Sequence, residues 1–411
     1  MTSKPLSRLR GRRLVGVLAV ASLAMGVVAC GAPEAQKPET SDSGAAIPDK
    51  PSSPQTINII DVAGNLQLSQ GMLDDFTKAH PDIVAKFVTT KATAPELAPK
   101  IKAEQDAGRL DIDMVLTGTD GLAAGISQNL WYKLVPDYNS KLPKFADIYT
   151  DDAKRMSELG QGFGILTAQM PAGPLIFYNP KTVTTPPATA EELLAWAKAH
   201  PKKFEYARPA NSGPGRTLLM GLPYILGDSN PKDPKTWDKT WAYLSDMAAY
   251  QPAFPGGTTQ TMKDLANGTV DIVAVVSGWD VNTRALGTVP ADFKIGTLKG
   301  FHWVMDAHYA VIPKGVDKDK MSAILNYLKF AMEPKEQAHN FTGGYFYPGP
   351  AVKGVTLDMA PPKVQEQIKQ FGRPEYEDLI KNNPKETSLP AEAQVEAFSL
   401  WDQKVGAVAK K

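Results

Sequence analysis

The chain has 411 residues, with 45 Lys+Arg against 44 Asp+Glu, a formal net charge of +1 and a single cysteine. That balance lacks the strong basic excess of a nucleic-acid binder. One cysteine excludes an intramolecular disulfide, so stability rests on burial, and a body of this length favours two lobes over one core.

The chain opens with Lys4, Arg8, Arg10, Arg12 and Arg13, then the mostly apolar run Leu14–Ala29, then Cys30 and Gly31. A basic start, a short apolar stretch and small residues at a cut site read as a secretory signal. The run falls short of the ~20 apolar residues that span a bilayer. Cys30 closing it resembles a bacterial lipoprotein signal, which implies cleavage at 1–29 and acylation (palmitate) of the Cys30 thiol. Arg12-Arg13 leaves both the general secretory and the twin-arginine export routes open. Beyond this leader, 40 basic residues face 44 acidic ones, a formal charge of −4. Residues 30–55 are rich in Pro, Ser, Ala and charge, with Ile47 the one larger aliphatic residue. Such a segment buries too little surface to offset its ordering entropy and reads as a disordered tether.

The folded body begins with the β-branched run Thr56–Val62. A helix carries Met72, Leu73, Phe76 and Ala79, a strand covers Ile83–Thr89, a helix Glu96–Ala107 and a strand Leu110–Leu116. This alternation predicts parallel strands with helical crossovers, which place ligand loops beyond the strands' carboxyl ends. Those loops are 63–65, with Asn65, and 117–121, with Thr119 and Asp120. From Gly162 the chain is extended to Pro180, broken by Pro171 and Gly173, and reads as a crossing strand. A second helix-and-strand unit follows: helices at Ala190–Ala199, from Pro214, at Thr236–Tyr250 and at Thr261–Ala266, and strands at Phe204–Ala207, Val270–Val276 and Phe293–Thr297. Trp303–Pro313 is a second extended return. Met321, Ile324, Leu325, Leu328 and Met332 then mark an amphipathic helix.

A lipoprotein signal, a tether and two α/β units joined by crossing strands resemble the extracellular solute-binding proteins of bacterial ABC importers. Phe204–Thr217, Ser277–Asp280 and Trp303–Pro313 resemble the branch that includes spermidine/putrescine, thiamine and ferric-iron binders. The resemblance implies an α/β, two-lobed periplasmic-binding-protein-like fold with crossing hinge strands and a ligand cleft between the lobes. It assigns 56–172 and 301–342 to lobe 1 and 173–300 to lobe 2, and leaves 343–411 as a C-terminal segment of open assignment. It also implies a small-molecule solute, an ABC permease as partner, a lipid-anchored monomer at the extracytoplasmic face of the membrane, and no cofactor. In polyamine binders a tryptophan and an aspartate near the return crossing hold the amine, and Trp279, Trp303 and Asp306 are the nearest matches.

The residues themselves point to a charged or polar ligand. Ser212 suits a helix cap and Pro214 its first turn, and this glycine-rich start with Arg216 suits a carboxylate or phosphate. Trp279 and Asp280 follow a buried strand, where a ligand loop belongs. Trp303, Tyr309, Tyr345, Phe346 and Tyr347 are candidate aromatic walls, with one of Tyr345 and Tyr347 expected in the cleft. His302, Asp306 and His308 fall on alternate positions, so a metal-binding receptor is an alternative, with Tyr345 or Tyr347 as a fourth ligand. No G-x-S-x-G and no H-E-x-x-H occurs, so a non-enzyme is expected. A carboxylate pair leaves a secreted glycoside hydrolase as the remaining enzyme reading, and a purely structural surface lipoprotein is the third class.

Overall fold

The computed structural model describes residues 47–62 and 64–407. The leader and Cys30 lie outside the described residues. The expected alternation is present as β1 (Gln55–Asp61), α1 (Leu66–Ala79), β2 (Val84–Lys91), α2 (Ala94–Asp106) and β3 (Met114–Thr117). Next come α3 (Thr119–Ser127), α4 (Phe145–Ile148) and α5 (Asp151–Glu158). The crossing from residue 162 is two strands, β4 (Gly164–Gly173) and β5 (Leu175–Tyr178). The second unit holds α6 (Ala190–Ala199), β6 (Phe204–Glu205), α7 (Gly213–Leu226), α8 (Asp238–Ala248), α9 (Thr258–Ala266), β7 (Ile272–Val275), α10 (Trp279–Ala285) and β8 (Lys294–Gly296). The chain returns along β9 (Trp303–Val311) and continues through α11 (Lys318–Phe330), α12 (Pro334–Gln337) and β10 (Gly349–Pro350). It ends in α13 (Pro362–Phe371), α14 (Glu375–Asn382), β11 (Lys385–Glu386) and α15 (Ala391–Trp401).

Two sheets organise these elements. One has the order β10-β4-β9-β3-β1-β2, with β11 beside β9; the other runs β6-β7-β5-β8. β1 is parallel to both β2 and β3, as the alternation predicts. β9 lies antiparallel to β3 and β4, with Met170 opposite Asp306 and Ala168 opposite His308.

The second sheet is buried on both faces. Ile176 in β5 and Ile272 and Ala274 in β7 enter one core with Trp237, Trp241 and Trp401, while Leu175, Phe177, Val273 and Val275 enter another with Trp303 and Tyr376. The two-residue period of a strand sends neighbours to opposite sides. Each fully buried aliphatic or aromatic chain contributes about 1.5–3 kcal/mol, which accounts for the continuously apolar sequence of β7. The first sheet has its own core around Ile57, Val115, Tyr309 and Leu328.

Three expectations need correction. Residues 47–54, read as the end of a tether, dock on the first core: Ile47 packs against it, Pro51 is buried, and the Asp49 carbonyl accepts from Asn326 Nδ2 at 2.9 Å. A single aliphatic side chain and a few surface hydrogen bonds hold this stretch, which composition averaged over 30–55 conceals. Residues from 119, read as a loop, begin α3, and Trp279, also read as loop, begins α10. One residue separates β3 from α3, and three separate β7 from α10. No helix among the described residues is long and apolar enough to cross a membrane.

Candidate functional site

A cavity of about 330 Å³ lies where the two sheets' elements meet. Its floor is the face of β4 and β9 that carries Met170, Asp306 and His308. The first turns of several helices close on it. Gly64 and Gln67 come from the start of α1, Thr93 and Ala94 from α2, Asp120 from α3, Ser212 and Gly213 from α7, Thr258 and Thr259 from α9, and Trp279 from α10. The first turn of a helix leaves backbone N–H groups without an intrahelical partner, and its dipole favours negative charge there.

The start of α7 forms as its sequence predicts. Ser212 caps it, its Oγ accepting from the Gly215 N–H at 3.2 Å, and Pro214 occupies the first turn. The Ser212 hydroxyl also lies 2.8 Å from Thr258 Oγ1, joining the starts of α7 and α9. Gly257 precedes α9 as Gly213 opens α7, so Gly256-Gly257-Thr258-Thr259 is a second glycine-led helix start. The same signal that singled out 212–216 marks this one, and the sequence reading passed over it.

Arg216 is 2 % exposed and bridges two carboxylates. Nη1 donates to Asp120 Oδ2 at 2.9 Å and Nη2 to Asp306 Oδ2 at 2.5 Å. Asp120 belongs to the element that leaves β3, Arg216 to the helix packed on the second sheet, and Asp306 to the return strand. Burial raises the Asp306 carboxyl above its ordinary range, and Arg216 opposes that shift. Within a buried triad of this kind, the charges compensate one another only while all partners stay in place. Arg216 Nε has no hydrogen-bond partner among the described residues. His308 stacks on Phe346 with centroids 4.2 Å apart, and burial, then the Arg216 charge, hold its imidazole neutral with a pKa lowered to about 3.

One wall is aromatic. Trp279 meets Tyr345 edge-on with centroids 5.4 Å apart, and the Trp279 side chain hydrogen-bonds the Tyr345 hydroxyl. Tyr347 instead stacks on Tyr376, so of the two candidate tyrosines Tyr345 lines the cavity. Asp61, at the end of β1, is buried; burial raises its pKa to about 6, and the backbone N–H groups of Leu66 and Asn65 oppose that shift. Lys91 at the end of β2 also lines the cavity. Neither Asp61 nor Lys91 stood out in the sequence, because each is an ordinary residue at a strand's carboxyl end.

Of the ten candidate ligand residues, Asp120, Ser212, Arg216, Trp279, Asp306 and Tyr345 come together around this cavity. The other four serve elsewhere. Asn65 donates from Nδ2 to the Val62 carbonyl at 2.6 Å and shapes the β1–α1 turn. Thr119 is buried at the first position of α3, outside the lining. Asp280 is wholly buried against Arg373 and the Tyr376 hydroxyl, with Arg284 Nη2 at 3.3 Å, and it ties α10 to α14 and to the turn before it. Trp303 is wholly buried, its Nε1 donating to the Leu379 carbonyl at 2.9 Å. Asp280 lies in α10 where a loop was expected, Trp303 opens the expected strand β9, and side-chain direction sends both into the core. His302, Asp306 and His308 do not form a ligand set. His302 precedes β9, stacks on Tyr224 and lies 3.7 Å from Glu386 Oε1, while Asp306 is engaged by Arg216.

The fold is that of known solute-binding proteins. A spermidine/putrescine ABC transporter substrate-binding protein from Streptococcus pneumoniae matches with a TM-score of 0.58 at 17% identity, over 86% of this chain and 99% of that one. A periplasmic thiamin binding protein matches with a TM-score of 0.61 at 14% identity, over 88% and 99%. A Trichodesmium protein in complex with iron and citrate matches with a TM-score of 0.56 at 17% identity, over 85% and 99%. A comparison with the curated proteins finds no sequence match. At these identities the structures establish a shared two-lobed architecture. The family model for bacterial extracellular solute-binding protein matches residues 71–371, and the chain belongs to that family.

Proposed function

We propose that this protein is the solute receptor of an ABC importer and that its solute carries an anionic group. The receptor reading rests on the family and on the importer proteins that share the fold. The anionic reading rests on the convergence of helix starts, above all those of α7 and α9, on one cavity. Among the charged lining residues, Lys91 and Arg216 balance Asp120 and Asp306, which leaves no surplus carboxylate for a multivalent cation. A carboxylate or phosphate docked on the two helix starts beside Lys91, with its remaining atoms against Trp279 and Tyr345, matches that balance. A solute bearing a single ammonium as well remains compatible with it. Catalysis is disfavoured because Arg216 holds both Asp120 and Asp306, so neither is free to act as acid or base.

In this reading the sheet carrying β1–β4 and β9 and the sheet carrying β5–β8 are the cores of lobes 1 and 2. The Arg216–Asp120 pair is then a contact between lobes that favours the closed form. A thermal-shift screen of monocarboxylates, phosphate monoesters, zwitterions, spermidine and thiamine tests the ligand class. A cognate ligand at 100 times its Kd stabilises by about 2.7 kcal/mol. Lys91→Gln, at an exposed position, is expected to weaken binding of an anionic hit severalfold in calorimetry. Spermidine as the sole hit, with affinity unchanged or raised by Lys91→Gln, rejects the anionic reading.

The anchor is also part of the proposal: Cys30 acylated, the receptor monomeric and tethered at the extracytoplasmic face, handing solute to a permease. Cys30→Ala offers no thiol, so the protein is expected to lose palmitate labelling and appear in the medium or remain unprocessed. Normal labelling of that variant removes the anchor from the model.

A further inference from the structure

Away from the cleft, Asp75 on α1 faces Glu336 on α12 and His339 three residues further on. One ligand-type atom from each lies within 4.8 Å of the other two, and this is the one such group of three among the described residues. His339 Nε2 is 3.1 Å from Asp75 Oδ2 and 3.8 Å from Glu336 Oε2. Bonds of about 2.0–2.2 Å from nitrogen and oxygen ligands to a tetrahedral metal put neighbouring ligand atoms about 3.4 Å apart, between these two separations.

Two features mark a prepared site rather than a chance surface pair. Glu336 is only 2 % exposed, and its Oε2, turned toward His339, has no hydrogen-bond partner among the described residues. A buried carboxylate oxygen without a donor is costly unless a cation or proton compensates it. Further, Gly71 lies one turn before Asp75, and a Cβ there would overlap the His339 ring. The glycine gives the imidazole its place between the helices. Lys78 reaches Asp75 Oδ1 at 3.4 Å, leaving Oδ2 to face the histidine. Partial exposure of the Asp75 and His339 side chains, 35 % and 18 %, leaves a path for an ion.

We propose that Asp75, Glu336 and His339 bind a divalent transition-metal ion of the zinc class, with solvent completing its coordination. One imidazole and two carboxylates suit a borderline cation such as Zn²⁺ better than Mg²⁺ or Ca²⁺, which favour all-oxygen sets. The ion cross-links α1, whose start lines the cleft, to the segment that runs from α12 to Tyr345. Its role is structural, and it stands independently of the solute reading.

The test is titration of the chelator-treated protein with Zn²⁺ by calorimetry and with Co²⁺ by visible absorption, which reports coordination directly. One equivalent is expected to bind, with d–d bands of a low-coordinate site and a raised Tm. Asp75→Asn, Glu336→Gln and His339→Gln should each lower Zn²⁺ affinity by more than the ~10–100-fold that loss of an outer partner costs. Asp74→Asn, an exposed neighbour, and Asp306→Asn, in the cleft, should leave it unchanged. Metal-free melts of each variant separate lost binding from lost folding. Absence of stoichiometric binding, or binding that survives in Glu336→Gln and His339→Gln, overturns the proposal and leaves His339 as an ion-pair partner of Asp75. Loss in Asp306→Asn instead moves the metal to the cleft and equally overturns it.

Discussion

Glu205, the second residue of β6, shows what one side chain can impose on the whole fold. It is buried, its Oε1 lacks a hydrogen-bond partner among the described residues, and burial, then the adjacent Asp264 carboxylate, raise its pKa from an ordinary 4.5 to about 8. Between those values the folded chain keeps a proton that the unfolded chain releases. Stability therefore falls as pH rises from about 4.5 to about 8, and the loss is complete above the folded value. Glu205→Gln removes this ionisation. It is expected to stabilise by on the order of 1–3 kcal/mol at pH 9 and to change little at pH 4, measured by thermal unfolding. Parallel pH profiles for the two proteins would reject this account. Nothing in the sequence around Phe204-Glu205 flags the residue, because its partner is 59 positions away on α9. Ser212 and Pro214 were legible for the opposite reason: a helix cap acts within three residues of itself. Arg216 was legible as a charge at a helix start, but its partners Asp120 and Asp306 belong to distant elements, so its neutralisation was not.

Among the elements, the turn from β7 into α10 sets the aromatic wall. Gly278 has φ +87°, and a Cβ there would lie 2.6 Å from the carbonyl oxygens of both Gly344 and Tyr345. The glycine lets α10, which carries Trp279, sit against the backbone that carries Tyr345. Gly278→Ala is expected to cost about 2–4 kcal/mol through strain and displacement together. Gly268→Ala has a similar φ of +78° but open space around its Cβ, so it should cost only about 1 kcal/mol. Denaturant unfolding compares the two, and equal losses would show that close approach at Gly278 is unimportant. The strands and helices themselves were largely readable, since amphipathic period and turn residues are local. Their starts were less so. Thr119 read as loop because only Gly118 parts α3 from β3, and Trp279 because the turn residues Ser277 and Gly278 precede it.

Among the described residues the chain passes between the sheets from β4 into β5 and from β8 into β9, and α13, α14 and α15 then pack on the second sheet's cores. Closure about such crossings is one of the recognised rearrangements of solute receptors. Solution scattering should give a smaller radius of gyration with saturating cognate ligand than without it. Arg216→Gln, which removes the bridge to Asp120, should shift the ligand-free protein toward the larger value. An unchanged radius at demonstrated saturation rules closure out. Resemblance of whole segments, rather than any local rule, pointed to the family, while by itself the sequence determined the alternation of strand and helix, the parallel start, the two extended crossings and the capped start of α7. Each of these follows from local propensity, period, or the order of segments. Tertiary structure alone decided which polar groups meet. It gave Arg216 to Asp120 and Asp306, turned Asp280 and Trp303 into the core, and set Asp75 against Glu336 and His339. Side-chain direction and long-range pairing depend on how distant elements pack, and no short stretch of sequence encodes that.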